Sequence, residues 1–122
     1  MSIIRRQIDE MIKDNIFYQE SGITTLVNFN QNFIGFIGHF PNNPILPGVI
    51  IIKIMTRMYE LYNHKNFTLS QIKQAKFIEP ISADSLVSFF VKSNIEKGFI
   101  KLNGKVLKSD KVISKISLIL QK

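Results

Sequence analysis

The sequence predicts a single α+β domain, residues 1–122, in which an antiparallel sheet curls around one central helix. Three observations lead to this fold class: a long breaker-free segment, Val49–Asn63, a β-rich pair before it and four β-rich segments after it. The 122 residues suffice for one domain with a substantial core. Because no repeat or Pro/Gly/Ser-rich linker divides the chain, we expect no second domain.

The first fourteen residues predict a short amphipathic helix. Ile4, Ile8 and Ile12 recur at helical spacing, with charged residues on the opposite side. We expect this helix to pack on its own domain, and a helix lying on a membrane surface is the alternative.

Turn residues and β-branched residues predict the strands. Two β-rich flanks, residues 15–30, surround Ser21-Gly22 and predict a hairpin. After the helix the expected strands are Ser70–Glu79, Ser85–Ser93, Phe99–Leu107 and Lys111–Leu120. Breaks fall at residues 83–84, 97–98 and 109–110, where we expect hairpin turns.

The central segment is predicted to be a helix because its second half consists of good helix formers and its length exceeds that of an average strand. Its first half is apolar nearly all round, so we expect that half to be buried.

Composition narrows the function classes. With no cysteine the chain has no disulfide framework, thiolate zinc site or cysteine nucleophile, and with two histidines a His-rich metal site is not expected. No run of eighteen apolar residues predicts a membrane-spanning helix, no signal-peptide core is found, and we expect a cytoplasmic protein without a metal or other cofactor. The net charge of +7 favours an acidic partner, but no known nucleic-acid-binding module is matched.

The loop before the central helix is the densest candidate for chemistry. Pro41, Pro44 and Pro47 make it rigid, and His39 stands at its entrance. A loop histidine can act as a general base near neutral pH, although on the residues alone a buried histidine bonded to backbone is the commoner interpretation. At the loop's end the backbone N–H groups of Gly48 and Val49 would point out of a helix N-terminus, where they suit a carbonyl oxygen gaining negative charge.

The string GHFPNNPILPGV, residues 38–49, resembles the signature of the β-hydroxyacyl-acyl-carrier-protein dehydratases, a family with the hotdog fold. That signature reads Gly-His-Phe-Pro-x-x-Pro-x-x-Pro-Gly-Val, and every fixed position is met. The stretch 75–81 also resembles the family's Lys-Phe-x-x-Pro-Val strand, and the resemblance covers about residues 15–121.

This resemblance implies a mechanism in which His39 removes the proton α to a thioester carbonyl. The N–H of Gly48 or Val49 would polarise that carbonyl, and a Glu or Asp fourteen residues after the histidine would protonate the departing hydroxyl. In the family this acid faces the histidine across a dimer interface. The resemblance therefore implies an acyl carrier protein as partner and a homodimer, a larger assembly of dimers, or a heterodimer with a paralogue.

Lys53 occupies the position of that acid, and this is the main departure from the family pattern. A buried ammonium group could donate a proton, or the acid could simply be missing. Glu60 lies seven residues further along, about 10 Å up the helix axis, too far to take its place. Glu79 and Asp84 are expected to be charges at strand ends.

Several apolar residues could contact the acyl chain. The candidates for substrate binding are Phe33, Phe36, Phe40, Pro47 and Met55, each of which could equally be a core residue.

Seven lysines between Lys92 and Lys115 lie on the last three predicted strands. They are either a solvated, aggregation-resistant sheet surface or a docking surface for an acidic carrier protein.

Three functions follow from the residues and the resemblance. The first is a dehydratase that eliminates water from a 3-hydroxyacyl thioester to give the 2-enoyl product. The second is a catalytically degenerate hotdog subunit that binds carrier protein or pairs with a complete paralogue. The third is an acyl-thioesterase, which would need a carboxylate or an activated water that the sequence does not place.

Overall fold

The chain forms one six-stranded antiparallel sheet with a central helix. The computed structural model describes residues 2–36 and 44–122. In chain order the elements are α1 (Ile3–Ile12), β1 (Ile16–Gln19), β2 (Gly22–Asn28), a short 3-10 helix (Ile34–Phe36), α2 (Gly48–Asn63), β3 (Thr68–Phe77), β4 (Leu86–Glu96), β5 (Phe99–Lys108) and β6 (Lys111–Gln121). The predicted α+β class, the N-terminal hairpin and the four later strands are confirmed, with ends that differ by a few residues.

The strand order, β1-β2-β4-β5-β6-β3, corrects one expectation. The prediction of a hairpin turn at Ala83–Asp84 is wrong, because β3 pairs with β6 while β4 pairs with β2 and β5. The chain between β3 and β4 therefore passes from the edge of the sheet to its middle. Asp84 has a positive φ of 63°, so the local backbone does turn there, but no strand pairing follows from it. The predicted turns at residues 97–98 and 109–110 do join paired strands.

α2 presents most of its surface to the core. Ile54, Met55 and Met58 are fully buried. The expected burial of the whole first half is partly wrong: Val49 is 58% exposed, and Lys53 is exposed one turn further on. No helix within residues 2–36 and 44–122 is long and apolar enough to cross a membrane.

Close contact between α2 and the sheet depends on a glycine in β5. A Cβ atom added to Gly104 would lie 2.5 Å from the sulfur of Met55 and 3.2 Å from a methyl group of Val91. Because protein cores are close-packed, this position leaves room for Met55 only while it has no side chain. Met55 therefore fills the space between the helix and the inner face of the sheet.

α1 packs on its own domain, as predicted, and an ion-pair network fixes it to α2. Ile8 and Ile12 of α1 are buried in the common core. The guanidinium of Arg57 donates to both carboxylate oxygens of Asp9, at 2.7 and 2.9 Å, and to Glu60 at 3.3 Å. The hydrogen bond to Asp9 raises the pKa of Arg57 above its ordinary value. This bidentate geometry is the strong form of an arginine–carboxylate contact.

The Asp9–Arg57 contact predicts a measurable contribution to stability. Asp9→Asn should lower the free energy of unfolding by about 1–3 kcal/mol, because a mostly buried guanidinium loses its charged, two-pronged acceptor. Denaturant unfolding of the purified protein measures this. The matched control is Asp14→Asn at an exposed carboxylate between α1 and β1, expected to change stability by less than about 0.5 kcal/mol. Equal effects of the two substitutions would contradict a special role for the Asp9–Arg57 pair.

Candidate active site

α2 begins with backbone N–H groups that have no acceptor among the described residues. Pro47 precedes the helix in an extended conformation and, as a proline, offers no side-chain cap. Its carbonyl accepts from the N–H groups of Ile50 and Ile51, at 3.0 and 3.4 Å. The N–H groups of Gly48 and Val49 form no bond of this kind within residues 2–36 and 44–122. They remain available to a ligand oxygen at the positive end of the helix.

A cleft of about 380 Å³ opens beside this helix start. We call it the helix-start cleft, and its lining residues are Ile45, Leu46, Pro47, Gly48, Ile51, Phe77, Ile78, Glu79, Pro80 and Ile81. Most of these residues are apolar, so the cleft suits an acyl chain or a thioester more than a charged ligand.

The ring of Phe77 lies directly over Gly48. A Cβ atom added to Gly48 would be 2.6 Å from the ring, closer than real Cβ contacts. Phe77 is the last residue of β3 and pairs with Ser114, whose side chain is buried on the inner face of the sheet. The end of β3 thus forms one wall of the cleft, and the absence of a side chain at Gly48 allows the wall to approach the helix start.

Of the sequence-predicted site residues, Pro47 and Gly48 line the helix-start cleft, and Val49 follows them in the first turn of α2 without lining it. His39 and Phe40 lie outside the described residues, so their predicted roles are carried by the sequence alone. Lys53 faces a different cleft.

The other predicted substrate-binding residues lie in the core of the chain. Phe33 and Phe36 are each 4% exposed and pack edge-to-face on each other and around Phe29, with ring centroids 5.6–6.1 Å apart. Met55 is fully buried against the sheet. None of these three lines the helix-start cleft, and their contact with an acyl chain remains a prediction.

Lys53 is exposed and lines a second cleft, of about 290 Å³. We call it the interhelix cleft, and its lining residues are Ser2, Ile4, Arg5, Ile8, Ile52, Lys53, Thr56, Arg57, Glu60, Phe67 and Leu69. It shares no residue with the helix-start cleft. Lys53 is the fifth residue after Gly48, so it lies about 7.5 Å further along the helix axis and about 140° around the helix from Gly48. Within one chain, therefore, Lys53 and the helix start face different spaces.

Glu60 does not replace the missing helix acid. Both oxygens of Glu60 are occupied, since Oε1 accepts from Arg57 and Oε2 accepts from the backbone N–H of Phe67 at 2.8 Å. Glu79 lies just beyond the end of β3 and pairs with Lys111, and it also lines the helix-start cleft, a position that the sequence analysis did not anticipate. Only the return of β3 to the start of α2 brings it there, and no local signal in the sequence records that approach.

Metal chemistry finds no support in the part of the chain that the structure describes. Within it, no three histidine, aspartate or glutamate side chains are grouped as metal ligands would be.

A family model and curated relatives show which family the chain belongs to. The family model described as "ApeI-like: ApeI dehydratase" matches residues 15–115, most of the chain. The 3-hydroxyacyl-[acyl-carrier-protein] dehydratase FabZ of Fusobacterium nucleatum subsp. nucleatum is 33% identical over 97 residues, covering 75% of this chain and 67% of the relative. The corresponding enzyme of Ehrlichia chaffeensis is 43% identical over 68 residues. That match covers 50% of this chain and 46% of the relative, so the chain spans about half to two thirds of these curated relatives.

Solved structures give the same fold. The dehydratase heterocomplex ApeI:P from Xenorhabdus doucetiae superposes with a TM-score of 0.71 at 19% identity, over 85% of this chain and 90% of that chain. An uncharacterised protein from Erwinia carotovora subsp. atroseptica gives a TM-score of 0.69 at 18% identity, over 88% of this chain and 90% of that chain. At identities below 20% the solved structures show only that the fold is shared. The family model and the curated relatives show which family the chain belongs to. The chain belongs to the ApeI-like family of hotdog-fold dehydratases.

Proposed function

We propose that this protein binds 3-hydroxyacyl thioesters of an acyl carrier protein and catalyses the elimination of water to the 2-enoyl product. The observation that carries the proposal is the pair of helix-start N–H groups, those of Gly48 and Val49, which have no acceptor within residues 2–36 and 44–122 and stand beside an apolar cleft. The sequence places His39 in the rigid loop directly before this helix start.

In the proposed reaction the thioester carbonyl oxygen accepts from the helix-start N–H groups. His39 takes the α-proton, and the negative charge that develops on the oxygen is stabilised by those N–H groups and by the positive end of the helix. The C–O bond to the 3-hydroxyl then breaks, a proton joins the leaving hydroxide, and water departs. The apolar walls of the cleft keep bulk water away from the enolate and so strengthen these contacts.

The source of that last proton requires a second chain in this proposal. Because Lys53 and the helix start face separate clefts within one chain, Lys53 can act only in a site completed by a partner. In a homodimer the group opposite His39 is the Lys53 ammonium. In a heterodimer with an acid-bearing paralogue, the partner supplies the usual carboxylate.

An exposed edge of the sheet supports dimer formation. All ten residues of β3 are exposed in the single chain, and β3 is an edge strand beside β6 only. Leu69, Ile72 and Phe77 are 39–49% exposed along it. A long edge with apolar side chains invites pairing with another strand, and a second hotdog chain would cover it through antiparallel β3–β3 contact.

Lys53 favours a second candidate, a degenerate subunit that binds the carrier-linked thioester but needs a complete paralogue for turnover. An ammonium at this position reverses the charge of the family's acid and is exposed in the single chain. The solved relative from Xenorhabdus doucetiae is described as a heterocomplex, and pairing with a paralogue is the corresponding proposal for this chain. Location in the cytoplasm, expected from the sequence, stays a prediction.

The role of His39 is tested by paired histidine substitutions. His39→Asn should lower the rate of 2-enoyl product formation by at least about a hundredfold, because a general base is lost. His64→Asn is the matched control, since this second histidine caps the far end of α2 in a left-handed conformation that asparagine tolerates. A wild-type protein that turns over no 3-hydroxyacyl carrier protein of any chain length, alone or with a paralogue, would contradict the proposal. Release of free acid instead would indicate thioester hydrolysis.

The role of Lys53 is tested by restoring the family's acid. Under the degenerate-subunit candidate the homo-oligomer is inactive, and Lys53→Glu should raise its dehydration rate at least tenfold by placing a carboxylate opposite His39. The control is Lys65→Glu, the same charge change at an exposed residue just beyond α2. An active wild-type homo-oligomer that Lys53→Glu does not improve would reject this candidate and retain the first.

The β3 edge is tested by measuring molecular mass in solution. Ile72→Asp places a charge among the apolar side chains of the edge and should convert the dimer to a monomer at micromolar concentration, as seen by analytical ultracentrifugation. Ile95→Asp is the matched control, because Ile95 is 79% exposed near the β4–β5 turn and away from β3. A mass that is unchanged by Ile72→Asp would place the interface elsewhere.

A further inference from the structure

Three lysines stand side by side across the outer face of the sheet. Lys105 of β5 is directly opposite Lys115 of β6, and Lys115 is directly opposite Lys76 of β3. Ser114 and Ile116, which flank Lys115, are buried, so Lys115 and its cross-strand neighbours point away from the core. We call Lys76, Lys105 and Lys115 the lysine row.

The lysine row borders a shallow depression of about 300 Å³. Its lining residues are Gln74, Phe90, Lys92, Asn103, Gly104, Lys105, Lys115, Ile116 and Ser117. Lys105 is held over the ring of Phe90, with its ammonium 5.2 Å from the ring centroid. Lys92 adds a further cation beside the row, and no carboxylate lines the depression.

No acidic side chain neutralises these lysines. Within residues 2–36 and 44–122, the salt bridges join Arg57 to Asp9 and Glu60, and Lys111 to Glu79. Like charges directly opposite each other on neighbouring strands disfavour the folded sheet. The lysine row therefore has a cost in stability that no carboxylate within this part of the chain offsets.

Protection of a sheet edge does not account for the row. Charged residues on edge strands prevent unwanted pairing, but β5 and β6 are interior strands with a partner on each side. Solubility alone does not require lysines on three successive strands at one register. A bound anion would remove the repulsion and explain the arrangement.

We propose that the outer face of the sheet is a docking surface for an acidic helix of a partner protein, seated along the lysine row. Neighbouring strands are about 4.8 Å apart, and carboxylates one turn apart on a helix are separated by about 5–6 Å. A helix lying across the strands can therefore place one carboxylate near each lysine. The proposal deepens the proposed function, on which the choice of partner rests: the carrier protein is the acidic partner.

Other polyanions fit this face less well. Single-stranded nucleic acid is held by aromatic side chains that stack on successive bases, and here the one aromatic ring in the depression, Phe90, is already covered by Lys105. Membrane-surface binding combines basic residues with exposed apolar side chains that enter the lipid, whereas of the large apolar residues lining the depression Phe90 is covered by Lys105 and Ile116 is buried. Regularly spaced carboxylates match the row better than either.

The test measures binding of the unacylated carrier protein to the intact protein by calorimetry, at 50 mM and 300 mM salt. The double variant Lys105→Glu/Lys115→Glu should weaken binding at least tenfold at low salt and remove most of its salt dependence. The matched control is Lys65→Glu/Lys97→Glu, with the same charge change at two exposed lysines outside the row, which should retain wild-type affinity within about twofold. Circular dichroism and thermal melting confirm that both double variants are folded.

Equal weakening by both double variants would show that net charge, and not the row, attracts the carrier, and would overturn the proposal. Absence of carrier binding to the wild type would overturn it as well, as would tighter, row-dependent binding of single-stranded DNA or of vesicles containing phosphatidylglycerol. Catalysis is followed separately with a 3-hydroxyacyl thioester of N-acetylcysteamine, which has no carrier to dock. Turnover of this small substrate without row-dependent carrier binding would sustain the proposed function and reject the docking surface. Row-dependent binding of the carrier without turnover of any thioester would support the docking surface and reject the proposed function.

Discussion

The packing of α2 against the inner face of the sheet is the contact on which the rest of the structure depends. A helix this apolar is unstable in water, and the inner face of the sheet supplies an apolar surface broad enough to cover it. Gly104 permits the close approach by leaving space for Met55. Once α2 is seated, its first turn is held in a fixed position beside the end of β3, and the helix-start cleft results.

The same packing divides the sheet into two chemically different faces. Residues on the inner face of β4, β5 and β6 are almost all apolar and buried, while those between them point outward and include the lysine row. This separation gives one small domain an apolar inner face that packs on α2 and a cationic outer face. The two are built from alternate residues of the same strands, because side chains alternate across a strand.

The proposed chemistry needs groups that lie in two separate clefts of the single chain. Gly48 lines the helix-start cleft and Lys53 lines the interhelix cleft, so one chain does not direct both at a single substrate. A second chain laid along β3 is the economical way to unite such groups, since one symmetric contact completes two sites at once. The exposed β3 edge and the divided site are therefore the two observations behind the proposed dimer.

The sequence by itself determined the elements and the motif. Hydrophobic periodicity is a local property, so it located α1, α2 and each strand to within a few residues, and the string from Gly38 to Val49 identified the helix start and the family. It also singled out Lys53, because the position of an acid in a motif is counted along the chain. Only the tertiary structure decided that β3 pairs with β6 and not with β4, that Glu79 reaches the helix-start cleft, and that Lys53 faces away from it. It likewise decided that Lys76, Lys105 and Lys115 stand in one row. These outcomes depend on strand order and register, which are fixed by how distant apolar faces bury one another, and no local stretch of residues encodes that choice.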